Sequence, residues 1–178
     1  MRKITNDELG RLTPEQYTRA GKIPVVAVAD NIRSLNNVGS LFRTCDAFTA
    51  ERLVLCGISA CPPHRDIHKT ALGAENTVEW EYYPSAAEAV KDLAEAGYTV
   101  LAVEQAEGAS MLQDFECGPD KKYALVFGNE VAGVSQQVMD LCDGAIEIPQ
   151  AGTKHSLNVA VSAGVVLWHF FSALTMNK

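Results

Sequence analysis

Residues Ile148–Val166 read IPQAGTKHSLNVAVSAGVV. A strand-like run, Ala145–Ile148, stops at Pro149, and seven polar or small residues follow before the longest apolar run of the chain opens at Leu157. That run is apolar nearly all round. On a helical repeat Leu157, Val161, Val165 and Trp168 share one side, and Val159, Val166 and Phe170 share another, which predicts a helix buried on more than one side. One side can pack on a sheet. The other predicts a contact with a second copy of the chain.

Outward from this stretch, apolar runs of strand length alternate with helical patterns. IPVVAVAD (Ile23–Asp30), RLVLCG, YTVLAVE and YALVFGN read as buried strands, TVEWEYY as an alternating one and AIEIP as the last. NNVGSLFRTCDAF places Val38, Leu41, Phe42, Cys45 and Phe48 on one helical face. SAAEAVKDLAEAG opens with Ser85 and Glu88 as a capping box and closes on Gly97, and VSQQVMDLC reads as a short helix. This order predicts an α/β fold with a mainly parallel sheet covered by helices on both faces. It is expected as one domain over residues 23–178, after a short N-terminal extension of residues 1–22. In such a sheet the ligand crevice lies beyond the carboxyl ends of the strands, here after Ala29, Phe127 and Ile148.

The 178 residues are 47% hydrophobic and 21% charged, a globular balance. The net charge of −7 argues against indiscriminate nucleic-acid binding, yet it hides an asymmetry. Residues 1–70 hold ten basic and seven acidic side chains, whereas residues 71–178 hold five and fifteen. A polyanion would prefer the N-terminal part, where Arg33, Arg43, Arg52, Arg65 and Lys69 fall, although a solvated surface with chance clustering gives the same count. The early basic pair is followed by no apolar stretch of a secretory signal, and Val159–Leu174 is too short and interrupted to span a bilayer. Five cysteines, an odd number set mostly in apolar runs, read as reduced thiols of a cytoplasmic protein. Cys56, Cys61, His64 and His68 imitate a zinc pattern, but a buried thiol and loop histidines are the favoured reading, so no metal is expected.

Four stretches hold polar residues where a core would not ask for them: NIRSLNNVGSLFRTCDAF, LVFGNEVAGVS, IPQAG and SLN. Asn37 and Arg43 could be a cap and a salt bridge, and Gly39 allows close backbone approach. Gly128 and Glu130 follow a buried strand, as a ligand-binding turn or a plain one would. Ser156 is a natural cap for the last helix, and Asn158 would fall inside its first turn.

Taken in order, these motifs resemble the SpoU family of RNA ribose 2′-O-methyltransferases, of the SPOUT class, from about Ile23 to the C-terminus. KTALGAE (Lys69–Glu75) is similar too. The resemblance implies a C-terminal deep trefoil knot, S-adenosylmethionine bound in it and a homodimer. It implies catalytic roles for Asn37, Arg43, Glu130, Ser156 and Asn158. Cofactor contacts are implied at Val103, Phe127, Gly128, Ile148, Pro149 and Leu157, with Glu130 and Asn158 positioning Arg43 and the ribose. So short an extension before Ile23 favours tRNA over rRNA as substrate. Methylation of a tRNA base by a related knotted enzyme, or RNA binding without catalysis, are the alternatives.

Overall fold

The computed structural model describes residues 1–5, 7–118 and 120–176. Seven parallel strands form one sheet: β1 Ile23–Asp30, β2 Ala50–Cys56, β3 Trp80–Tyr83, β4 Tyr98–Val103, β5 Ser110–Met111, β6 Lys122–Phe127 and β7 Gly144–Glu147. Their spatial order is β3-β2-β1-β6-β4-β7-β5, so β6 is inserted between β1 and β4. Among the described residues six α-helices flank or connect them: α1 Pro14–Arg19, α2 Leu35–Ala47, α3 Arg65–Ala71, α4 Ala86–Glu95, α5 Gln136–Met139 and α6 Val159–Thr175.

Continuous apolar strands follow from burial on both sheet faces. Along β1, Val25, Ala27 and Ala29 enter the core shared with α2 and α6, while Val26 and Val28 enter the core shared with α4. In β6, Tyr123, Leu125 and Phe127 join the first core and Ala124 and Val126 the second. Val166, Leu167 and Phe170 of α6 are fully buried, each stabilising by about 1.5–3 kcal/mol. Phe170 meets the Tyr123 ring edge-on at 5.0 Å. The opposite side of α6 is bare, with Val161, Val165 and Trp168 each 40–52% exposed.

Register fixes where the strands end. Ala29 pairs with Phe127, Phe127 with Val103 and Val103 with Ile146, so four strands finish along one edge. Gly39 permits the tight contact of α2 with α3, since a Cβ there would lie 2.1 Å from Thr70 Oγ1 and 2.3 Å from the Ile67 carbonyl oxygen.

Several local expectations are corrected. Ser34, not Asn37, caps α2, because its Oγ accepts the Asn37 amide. Asn158, not Ser156, caps α6, its Oδ1 accepting the Ala160 amide at 2.9 Å. Ser85 caps α4 through the Ala87 amide, without a reciprocal bond from Glu88. The stretch after Pro63 is not all loop: His64 caps α3, and His68 lies on it, paired with Glu75. Cys56 is fully buried at the end of β2. The four residues of the zinc-like pattern thus serve separate local structures, and among the described residues no cluster of three metal-ligating side chains occurs. No described helix is long and apolar enough to cross a membrane.

Candidate active site at the carboxyl edge of the sheet

Beyond the ends of β4, β6 and β7 lies a cavity of about 1050 Å³. Val103, Phe127, Ile146, Ile148 and Leu157 give it apolar walls. Gly128, Glu130, Ser156 and Asn158 also line it. Of the residues expected around a cofactor, Pro149 alone does not face the cavity; its neighbours Ile148 and Gln150 do.

The loop after β6 is tightly closed. Asn129 and Gly133 exchange backbone hydrogen bonds at 3.0 and 2.9 Å, and Asn129 Oδ1 accepts the amides of Val131 and Ala132. A Cβ on Gly128 would lie 2.1 Å from both the Gly133 carbonyl carbon and the Val134 nitrogen, so only glycine lets the loop fold back here. The side-chain Nδ2 of Asn129 donates to the Asn31 carbonyl at 2.7 Å, tying this loop to the end of β1.

Held at the turn of that loop, Glu130 accepts the backbone amides of Arg33 and Ser34 at 2.9 Å each, and Asn37 Nδ2 at 2.9 Å. Its carboxylate thereby serves the N-terminal end of α2, where backbone amides lack helical partners. Partial burial pushes the Glu130 carboxyl up, but the three donated hydrogen bonds outweigh it and hold the group below its ordinary value. Asn37 Oδ1 in turn accepts Asn158 Nδ2 at 3.2 Å. A polar ladder, Glu130–Asn37–Asn158, therefore joins the β6 loop, α2 and the start of α6.

Arg43 does not join this ladder. It is exposed and lines a second cavity of about 470 Å³, with Ser40, Thr44, Phe48, Lys69 and Thr70. Among the described residues Arg43 forms neither the expected salt bridge nor a hydrogen bond to Glu130 or Asn158. The physical reason is helical phase, since six residues after Asn37 the chain points to a different side of α2. Asn158 and Gly164, which line the two cavities, stand six residues apart, about 9 Å along α6 at 1.5 Å per residue.

Glu104 escaped the sequence reading. Its Oε2 accepts the Val134 amide at 3.0 Å and its Oε1 the Gln105 amide at 2.9 Å, clasping the β6 loop from the end of β4. Gln105 Nε2 donates to the His155 carbonyl at 2.9 Å, joining the last loop as well. The available signal was position, because Glu104 directly follows a buried strand at the carboxyl edge. With Glu107 and Glu130 also in its lining and no Lys or Arg among the described residues there, the large cavity is electronegative and suits a cation.

Similarity to known proteins points the same way. Over 169 residues the chain is 32% identical to a tRNA (guanosine(18)-2′-O)-methyltransferase of Thermus thermophilus, covering 94% of this chain and 84% of that protein. It is 31% identical over 144 residues to the 23S rRNA (guanosine-2′-O-)-methyltransferase RlmB of Neisseria meningitidis, covering 81% of this chain but only 56% of the relative. The crystal structure of the SpoU methyltransferase AviRb from Streptomyces viridochromogenes, in complex with AdoMet, superposes with a TM-score of 0.73 at 26% identity, covering 85% of this chain and 58% of that one. Residues 24–168 match the SpoU rRNA Methylase family, and the chain belongs to it.

Proposed function

We propose that this protein transfers a methyl group from S-adenosylmethionine to a ribose 2′-hydroxyl of RNA, with tRNA favoured over rRNA. The observation that carries the reading is the Glu130–Asn37–Asn158 ladder at the rim of an apolar-walled, electronegative cavity. The residues present fit the cofactor: the cavity that the folded-back Gly128–Val134 loop helps to line has apolar walls, and its carboxylates suit a cationic ligand. When bound, S-adenosylmethionine supplies an electrophilic methyl group on a positively charged sulfur. Val103, Phe127, Ile148 and Leu157 would hold its apolar surface, and main-chain groups near Gly128, Ile148 and Leu157 its adenine. Pro149 would act only by ending the strand before the loop.

A ribose hydroxyl is a poor nucleophile until its proton is drawn away. Arginine keeps its proton at ordinary pH, so Arg43 serves by gripping a phosphate and orienting the hydroxyl. Ser156 and Asn158 meet the ribose from the cavity rim, while Glu130 and Asn37 hold Asn158 in place. Fixed orientation of this kind supplies several kcal/mol toward a transfer step. The tRNA preference is supported by the Thermus relative, named for a tRNA guanosine, of which the similarity covers 84%.

The insertion of β6 between β1 and β4, with α6 packed back across β1 and α2, supports threading of the C-terminal chain as a trefoil knot. The bare Val161–Val165–Trp168 stripe supports a homodimer through α6. Five free thiols suit a reducing cytoplasm, and burial pushes those of Cys45 and Cys56 up to about 12.

The test is the acceptor atom. Once a screen of bulk tRNA and rRNA has identified the substrate, the target nucleotide alone is replaced by its 2′-deoxy analogue. Transfer should cease while binding weakens by about 0.5–1.5 kcal/mol, the net value of one hydrogen bond. Label transferred to the substituted position would instead make the enzyme a base methyltransferase.

A further inference from the structure

The second cavity holds two cations on different helices. Arg43 reaches it from α2 and Lys69 from α3, and among the described residues neither makes an ion pair or a side-chain hydrogen bond. Among the described residues no carboxylate lines this cavity. Its three hydroxyls already donate to backbone carbonyls: Ser40 and Thr70 to Asn36, and Thr44 to Ser40. The donors left free there are the guanidinium and the ammonium.

The two cations face one cavity because of how the helices meet. Gly39 lets α3 sit against α2 with Thr70 Oγ1 bonded to the Asn36 carbonyl at 3.0 Å. Lys69 precedes Thr70, and Arg43 lies about one turn beyond Gly39. Two like charges held together without a counter-ion are unfavourable in the free protein and become favourable around an anion. Phe48 and Ala47 complete the wall, and low-dielectric surface of that kind focuses the positive field.

We propose that Arg43 and Lys69 together clamp a single backbone phosphate of the RNA, with Lys69, the first residue of the KTALGAE stretch, a binding residue outside the large cavity. The proposal rests on the RNA-methylating reading and deepens it. The planar guanidinium fixes the direction of the phosphate, and the lysine adds a point charge from the other side. Held there, about 9 Å along α6 from the Asn158 level, the phosphate would set the register of the adjoining ribose at the ladder.

Two measurements test this. The first is a double-variant cycle on the binding of unfractionated tRNA, with Lys69→Gln, Arg43→Gln and the pair. Each single variant should weaken binding about tenfold at about 50 mM salt and much less at about 200 mM. The pair should cost clearly less than the product of the singles, because both groups hold one phosphate. Lys69→Arg should restore binding. A multiplicative double variant, or a Lys69→Gln protein that binds as well as the parent, overturns the clamp. The second measurement is titration of the free protein with inorganic phosphate, followed by NMR of the Arg43 Nε–H and the Lys69 side chain. Both signals should move along one binding curve, and separate curves or no movement overturn the site. If the parent protein binds no RNA, the RNA reading fails, and the phosphate titration still decides whether the two cations form one anion site.

Discussion

Asn158 Nδ2 donates to Asn37 Oδ1 at 3.2 Å, across 121 residues of chain. The same Asn158 caps α6 with its Oδ1, and the same Asn37 donates to Glu130. Each amide thus uses its donor and its acceptor on different elements. The register of three segments relative to one another is written in these two side chains.

Asn37 is therefore expected to tolerate no polar substitute. Asn37→Ala loses two partly exposed hydrogen bonds and should cost about 1–2 kcal/mol, read from urea denaturation. Asn37→Asp keeps the acceptor for Asn158 but sets a second carboxylate against Glu130. It should be the less stable variant near neutral pH, and acidification that neutralises one member of the pair should narrow the difference. Equal stability of the two variants at neutral pH would mean that Asn37 does not contact Glu130 in solution.

Glu130 predicts an acid limb in stability. Its folded-state carboxyl lies below the ordinary 4.5, so its contribution is fully present above that value and is lost as pH falls through the folded one. Glu130→Gln removes this dependence and also weakens the charge-assisted bonds to Arg33 and Ser34. Because the group is solvent-accessible, about 1.5 kcal/mol at neutral pH is the expected size. Denaturation midpoints should converge with those of the parent below about pH 4. A constant gap down to low pH would contradict the assignment.

The sheet was legible in the sequence because β1, β4 and β6 are buried on both faces and so appear as unbroken apolar runs. The inner face of α2 was legible from its helical spacing. The polar site was legible only in part. Ser156 and Asn158 are both good capping residues, and nothing local chooses between them; a bond to Asn37, more than a hundred residues away, favours the second. Arg43 and Asn37 fall in one motif, yet helical phase sends them to different cavities. Glu104 carries no motif at all, and its role arises only when the β6 loop closes onto the end of β4. β5 has two residues, too few for a period.

Gly128→Ala should be strongly damaging for a single methyl group. Its Cβ would collide with backbone atoms of Gly133 and Val134, which cannot rotate aside as a side chain can. A loss at or above the usual 1–3 kcal/mol of overpacking is expected, together with loss of S-adenosylmethionine binding in calorimetry. Gly133→Ala offers the comparison. It meets the flexible Glu104 carboxylate at a φ of +67°, so strain of about 1–2 kcal/mol should dominate and some cofactor binding should survive. The reverse ranking would show that the turn does not shape the cofactor cavity.

Val165→Glu tests the stripe on α6. The position is 40% exposed in a single copy and therefore open to a charge, so the monomer fold should survive, as far-UV circular dichroism would show. In a dimer packed through α6 the same charge is buried without a partner and should cost several kcal/mol of association. Sedimentation should find the parent dimeric and the variant monomeric at micromolar concentration. A parent that sediments as a monomer, or a variant that stays dimeric, removes α6 as the interface.

Arg43→Ala should separate methyl transfer from cofactor binding. Arg43 lines the smaller cavity, on a side of α2 away from the ladder, and touches none of the groups that close the β6 loop. Cofactor affinity measured by calorimetry should stay within about twofold of the parent, as for independent sites. Transfer to RNA should fall by on the order of 10²–10³-fold, the usual cost of removing one well-placed charged donor. Arg43→Lys should recover little of this, because a point charge cannot reproduce a planar fork of donors. An Arg43→Ala protein that has lost the cofactor would mean that the two cavities act as one. A variant that still transfers methyl groups at the parental rate would remove Arg43 from the reaction and leave the Glu130–Asn37–Asn158 ladder to orient the ribose unaided.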